Sequence, residues 1–208
     1  MIKALLLIFA PSGAWDRTSR AQHGLGFILG LYLLPLLAFS SVGQAYRLMH
    51  WGMLQGEVAH RKVFSAGETA VFEAAQFVLS LLVVFVGAGL VKSLGETFHG
   101  RHNYAQTFTT VAYGLGPLFL FRLLEGFKDL SPWMSWGMGF LLSVRVLYHG
   151  VPRMMQPDPP HAFGLFLMSA FLLLLTTGLA ELVTAFYLQG KLAKLEAIIS
   201  GLASQLPF

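Results

Sequence analysis

Four stretches of this chain contain no Asp, Glu, Lys or Arg. They are the 26 residues between Arg20 and Arg47, 18 between Glu73 and Lys92, 20 between Arg101 and Arg122, and 22 between Asp158 and Glu181. Each is close to the roughly 20 residues a helix needs to cross about 30 Å of hydrocarbon. A fifth stretch, Pro132 to Gly150, is apolar apart from Arg145 and a few neutral polar residues. The pattern predicts an all-α polytopic bundle with five spans near 24–42, 74–92, 105–124, 133–149 and 163–187. Barrel strands are excluded, because they would alternate in polarity, whereas Leu165 to Leu175 is apolar on every face.

Composition agrees. Only 12% of the 208 residues are charged and 55% are apolar, against about 25% and 45–50% in a soluble domain. That leaves too few polar side chains to coat a water-facing globule. Five spans use about half the chain, so one membrane domain is assigned at 23–188. An interfacial segment precedes it at 1–22 and a tail follows at 189–208. In the tail, Leu192, Leu195, Ile198, Ile199, Leu202 and Leu206 recur at helical spacing between Lys191, Lys194 and Glu196, the pattern of an amphipathic surface helix. The run Ala4 to Ala10 is short for a signal peptide and Pro11 interrupts it, so an uncleaved interfacial helix is expected.

Cysteine is absent, which removes disulfides, thiolate metal sites and cysteine nucleophiles. No Ser-His-Asp set, GxSxG, P-loop or paired-carboxylate arrangement is visible, so a non-enzymatic protein is expected, with no cofactor. The net charge of +4 is spread over the loops and suits a bilayer with anionic headgroups better than nucleic acid. Positive residues divide six against six between the two sides. Arg17 and Arg20, just before the first span, lean the assignment toward a cytoplasmic N-terminus.

Charges inside apolar spans are costly and often functional. Arg122 and Glu125 lie one helical turn apart at an end of the third span and could pair, or snorkel to the interface. Arg145 and Glu181 sit deeper but at different depths of neighbouring spans. A direct bridge between them is not expected, and Glu181 is read as an acid facing the bundle near Thr176, Thr177 or Thr184. His99 and His102 could join His149 or Asp158 as metal ligands. The segment 99–103 reads as a loop and no HExxH motif is present, so no metal site is assigned. Gly26 with Gly30, and Gly87 with Gly89, are small residues of the kind that let helices approach closely. Pro35 and Pro117 should kink their helices. No inverted repeat is seen, which speaks against a typical secondary transporter.

The order Pro11, Trp15 and a first span with Pro35, then Phe98-His99-Gly100, Tyr113-Gly114-Leu115-Gly116-Pro117, Trp136 and Leu147-Tyr148-His149-Gly150 resembles the Yip (Ypt/Rab-interacting protein) family, in its bacterial form. The resemblance runs over residues 8 to 187. It implies a five-span helical membrane domain with a cytoplasmic N-terminus, in a prokaryotic inner membrane. Eukaryotic members act in vesicle trafficking with Rab-type GTPases through a long N-terminal region. Only about 22 residues precede the first span here, so that partnership is not carried over. The expected role is a membrane scaffold or interaction component, self-associating or joined to other membrane proteins. The alternatives are a small transporter or channel subunit and an accessory subunit of a larger membrane complex.

Overall fold

The computed structural model describes residues 2–21, 23–55 and 60–191. Two short helices open the chain, α1 (Ile2–Phe9) and α2 (Pro11–Ala21). The first long helix, Leu25–His50, consists of α3 (Leu25–Ile28), a π-turn at Leu29–Leu33 and α4 (Leu34–His50). A two-stranded hairpin follows, β1 (Met53–Gln55) antiparallel to β2 (His60–Lys62). Next come α5 (Ala66–Thr97), α6 (Tyr104–Gly114), α7 (Gly116–Phe121) with a 3₁₀ extension at Arg122–Gly126, α8 (Pro132–Met155), and α9 (Ala162–Leu188) behind a 3₁₀ turn at Pro159–His161.

Four helices are long and apolar enough to cross a membrane: Leu25–His50, Ala66–Thr97, Tyr104–Gly126 and Pro159–Leu188. Helix α8, expected as the fourth of five spans, has 24 residues but is not among them, so the count of five is not reached on length and apolarity. The described part of the chain is all-α apart from the hairpin, which the sequence reading did not foresee. Between the first two expected spans, 24–42 and 74–92, most of the described residues are in regular structure. Helix α4 continues to His50, Gly52 turns the chain at a positive φ of 61°, and α5 starts at Ala66 rather than 74. The early start has a local cause. Ser65 accepts from the Glu68 amide while Glu68 accepts from the Ser65 amide, a reciprocal cap on two otherwise unpaired donors. Asn103 and Gln106 cap α6 in the same way. The amphipathic tail lies outside the described residues from 192 onward.

The segment α6–α7 is the axis of the bundle. In its most apolar window 78% of residues are buried, against 33% in each of the other three candidate spans. Helices α3, α4, α5 and α8 pack around it, and α9 closes the ring by packing on α5 and α8. The outer surface of the ring is apolar, with Leu31, Val71, Leu141 and Leu179 each at least 60% exposed. This is the surface a bilayer would cover, and helices suit it because most of their backbone hydrogen bonds close within the helix.

The two prolines act differently. Pro35 cannot donate to the carbonyl one turn before it, and the helix answers with the π-turn, closed by the Leu34 amide on the Leu29 carbonyl. Pro117 stands just past a one-residue interruption at Leu115 between α6 and α7. The freed Leu118 amide at the start of α7 is taken up by Ser143 Oγ at 3.3 Å, a cap supplied by α8. Close packing secures the break. A Cβ on Gly139 would stand 2.8 Å from the Leu118 Cα, and one on Gly114 would meet the Leu147 side chain.

The N-terminal helices are seated on the bundle. Trp15 is fully buried, donates from Nε1 to the Val146 carbonyl at 3.0 Å, and its ring fills the space a Cβ on Gly150 would need. Its edge meets Tyr113, with ring centroids 6.1 Å apart. Asp16 pairs with Arg153 at 2.8 Å nearer the surface.

Candidate functional site: a buried charge cluster

The buried charged residues of the bundle collect at one end, the end that carries the hairpin. Helix α5 presents Thr69, Glu73, Gln76 and Ser80 on one stripe, at intervals of three or four residues, before the same stripe turns apolar at Val84. Helix α4 brings Gln44, the 3₁₀ segment brings Arg122 and Glu125, and α9 brings Glu181 and Thr184. Arg122, Glu125 and Glu181 are 7%, 1% and 8% exposed.

Arg122 is the hub. It donates from Nη2 to Gln44 Oε1 at 2.6 Å and from Nη1 to Ser80 Oγ at 3.2 Å. Ser80 donates to the Gln76 carbonyl, and Gln76 Oε1 accepts from Thr184 Oγ1 at 2.9 Å. One network thus joins α4, α5, the 3₁₀ segment and α9. The charges acting on Glu125 are those of Arg122, Glu181, Arg47 and Glu73. Both oxygens of Glu73 and Oε2 of Glu125 are buried outside hydrogen-bond geometry, Ser41 being the hydroxyl that acts on Glu73. Arg47 donates to the Leu130 carbonyl at 2.6 Å, tying α4 to the α7–α8 connection. A cavity of about 30 Å³ adjoins the network, lined by Gln76, Ser80, Leu118, Arg122, Trp136 and Glu181. That volume is enough for a water molecule, and the unpaired Trp136 Nε1 is buried beside it.

Backbone proximity makes the cluster. A Cβ on Gly43 would stand 2.5 Å from the Leu123 carbonyl oxygen and 2.7 Å from its Cα. Only a glycine there lets α4 approach the 3₁₀ segment closely enough for Gln44 to reach Arg122.

The residues singled out from the sequence have separate fates. Arg122, Glu125 and Glu181 come together, but Arg122 binds neutral acceptors; among the described residues the ion pairs are Lys62–Glu68, Lys92–Glu96 and Arg153–Asp16. Thr176 and Thr177 bond helix carbonyls, and Thr184 bonds the Ala180 carbonyl and Gln76, rather than Glu181. Arg145 lies on the exposed face of α8, apart from the cluster. Gly26, Gly30 and Gly89 face outward with nothing within 4 Å of a Cβ, whereas Gly87 receives Leu173. Gln44, Glu73, Gln76 and Ser80 were not foreseen. The signal for three of them is the polar stripe at helical spacing in an otherwise apolar α5.

The motif positions fall in separate places. Pro11 opens α2 and is buried, and Trp15, Tyr113 and Gly150 meet in one contact. Pro117 lies at the break, Trp136 stacks on Phe140 beside the cavity, and Phe98 and Gly100 form the turn that ends α5. A family model described as the Yip1 domain matches residues 5–180. The chain is a member of the Yip1-domain family. As a Yip1-domain protein with four helices long and apolar enough to cross a membrane, it is a multi-pass integral membrane protein. No curated protein and no solved structure matches it. The Yip1-domain match runs from α1 into α9 and takes in every member of the charge cluster except Glu181 and Thr184.

Proposed function

We propose that this Yip1-domain protein is a non-enzymatic membrane scaffold, which associates in the bilayer with copies of itself or with other integral membrane proteins. The reading places it in a prokaryotic cytoplasmic membrane with the N-terminus in the cytoplasm, without nucleic-acid or Rab-type GTPase partners. The observation that carries it is the outward placement of Gly26 and Gly30 on the first span and Gly89 on the second, each open where a side chain would stand. In lipid, helices gain little from hydrophobicity alone and associate where small residues let backbones pack closely. Native mass spectrometry from lipid nanodiscs tests this. The wild type is expected as a homo-oligomer or with a partner, and Gly26→Leu with Gly30→Leu is expected to release monomer without loss of fold. A wild type that is monomeric and alone refutes it.

A second reading, a small transporter or channel subunit, is favoured by the cavity beside Arg122 and Glu181. It requires wild-type proteoliposomes to pass protons or cations and Glu181→Gln to abolish the flux. Wild-type liposomes as tight as empty ones end that reading.

A further inference from the structure

At the end of the bundle opposite the charge cluster, two connections meet. The α5–α6 connection carries His99, and the α8–α9 connection carries Asp158 and His161. One ligand atom from each lies within 4.8 Å of the other two, and all three residues are exposed. The two imidazole rings have centroids 6.0 Å apart and are inclined by 30°. We propose that His99, Asp158 and His161 form a binding site for a divalent transition-metal ion, zinc in the first place.

The donor set suits that class of ion. Two imidazole nitrogens and a carboxylate oxygen are borderline ligands, which favour zinc, copper or nickel over calcium or magnesium, whose sites are built from oxygen. Ligand atoms on a tetrahedral zinc stand about 3.3 Å apart, so the widest pair here needs to close by at most about 1.5 Å, within reach of side-chain rotation. Three protein donors leave at least one position for water or a further ligand, and the exposure makes the ion exchangeable.

Local structure sets the three donors in place. Asp158 lies between Pro157 and Pro159, whose rings restrict the backbone. It stands at the head of the 3₁₀ turn that ends in His161, and its carbonyl accepts from the His161 amide at 2.9 Å. The turn is short enough that the carboxylate and the imidazole keep a ligand atom each within 4.8 Å of one another. The Asp158 carboxylate makes no capping bond to the turn. His99 has a positive φ of 56°, a conformation rare for a residue with a side chain. It is held there by the end of α5, where the Phe98 amide bonds the Leu94 carbonyl, and the Gly100 amide bonds the Gly95 carbonyl at 2.8 Å. The connections are joined by Phe98. Its ring lies over Gly164, where a Cβ would come within 3.0 Å, and meets His161 edge-on. His102 is turned away, with Nε2 on the Lys92 carbonyl at 3.2 Å and its ring under Gly95. A bound ion would fasten the end of α5 to the start of α9 on this face.

The test uses the full chain, purified through a tag without histidine and held in nanodiscs. Isothermal titration with Zn²⁺ is expected to give one site per chain in the micromolar range. His99→Ala, Asp158→Asn and His161→Ala together should weaken it by about 100-fold or more. His23→Ala, on another part of the same face, should leave it unchanged. Cu²⁺ electron paramagnetic resonance should show coupling to two imidazole nitrogens, and to one after His99→Ala. The three side chains are exposed, and the circular dichroism spectrum and melting temperature of the variant without metal verify its fold. Zinc binding that survives the triple replacement, equal loss with His23→Ala, or a copper spectrum unchanged by His99→Ala overturns the proposal.

Discussion

At the scale of single residues, Arg122 is the side chain the bundle can least afford to lose. Its guanidinium is buried, bonded to Gln44 and Ser80, and stands among Glu73, Glu125 and Glu181. Removing one member of a buried charged group leaves the others uncompensated, at a cost of about 3–5 kcal/mol. Arg122→Gln is therefore expected to lower the unfolding free energy by about 3 kcal/mol, read from SDS titration in mixed micelles. A loss under about 1 kcal/mol would show that the cluster is not cooperative. Trp15 gives a milder case. Trp15→Phe keeps most of the ring over Gly150 but forfeits the bond to the Val146 carbonyl, about 1 kcal/mol by the same titration. The sequence marked Trp15 and Gly150 as motif positions, but nothing local says that the ring of one occupies the missing side chain of the other, because they are far apart along the chain.

At the scale of elements, the glycines separate into two kinds. Gly43 is pressed on the Leu123 backbone, while Gly26, Gly30 and Gly89 face open space. Gly43→Ala should destabilise by about 2 kcal/mol or more, because neither backbone can yield without dismantling the Arg122 network. Gly26→Ala should cost nothing in an isolated monomer. Equal thermal midpoints for the two variants would contradict the close approach of α4 to the 3₁₀ segment. Helix starts were legible at this scale but unread. Ser65 with Glu68, and Asn103 with Gln106, are three residues apart, the spacing of a reciprocal cap, and they set the starts of α5 and α6. The hairpin was not legible, because strands of three residues take their stability from pairing rather than from their own sequence.

For the molecule as a whole, the lack of native cysteine makes any introduced cysteine a clean probe of topology. With the N-terminus in the cytoplasm, Lys62→Cys and Lys128→Cys should be labelled by an impermeant maleimide from outside intact cells. Arg101→Cys and Asp158→Cys should be labelled only after lysis. The reverse pattern would invert the orientation, and labelling of all four from one side would undo the alternation of spans.

The sequence by itself determined that this is a helical membrane bundle, and roughly where each helix runs. Lipid offers the backbone no hydrogen bonds, so a spanning segment must be a long apolar helix, and that requirement is written locally in the chain. Its weakness lies in the same reasoning. Treating charges as markers of span ends put Glu73 just outside a span and Arg122 at an interface. Only the tertiary structure decided that Arg122 and the carboxylate oxygens of Glu73 are buried, since a charge can enter the bundle once partners from α4, α5 and α9 surround it. Those partners, like His99 beside Asp158 and His161, are distant along the chain, and packing around the broken central helix α6–α7 is what brings them together.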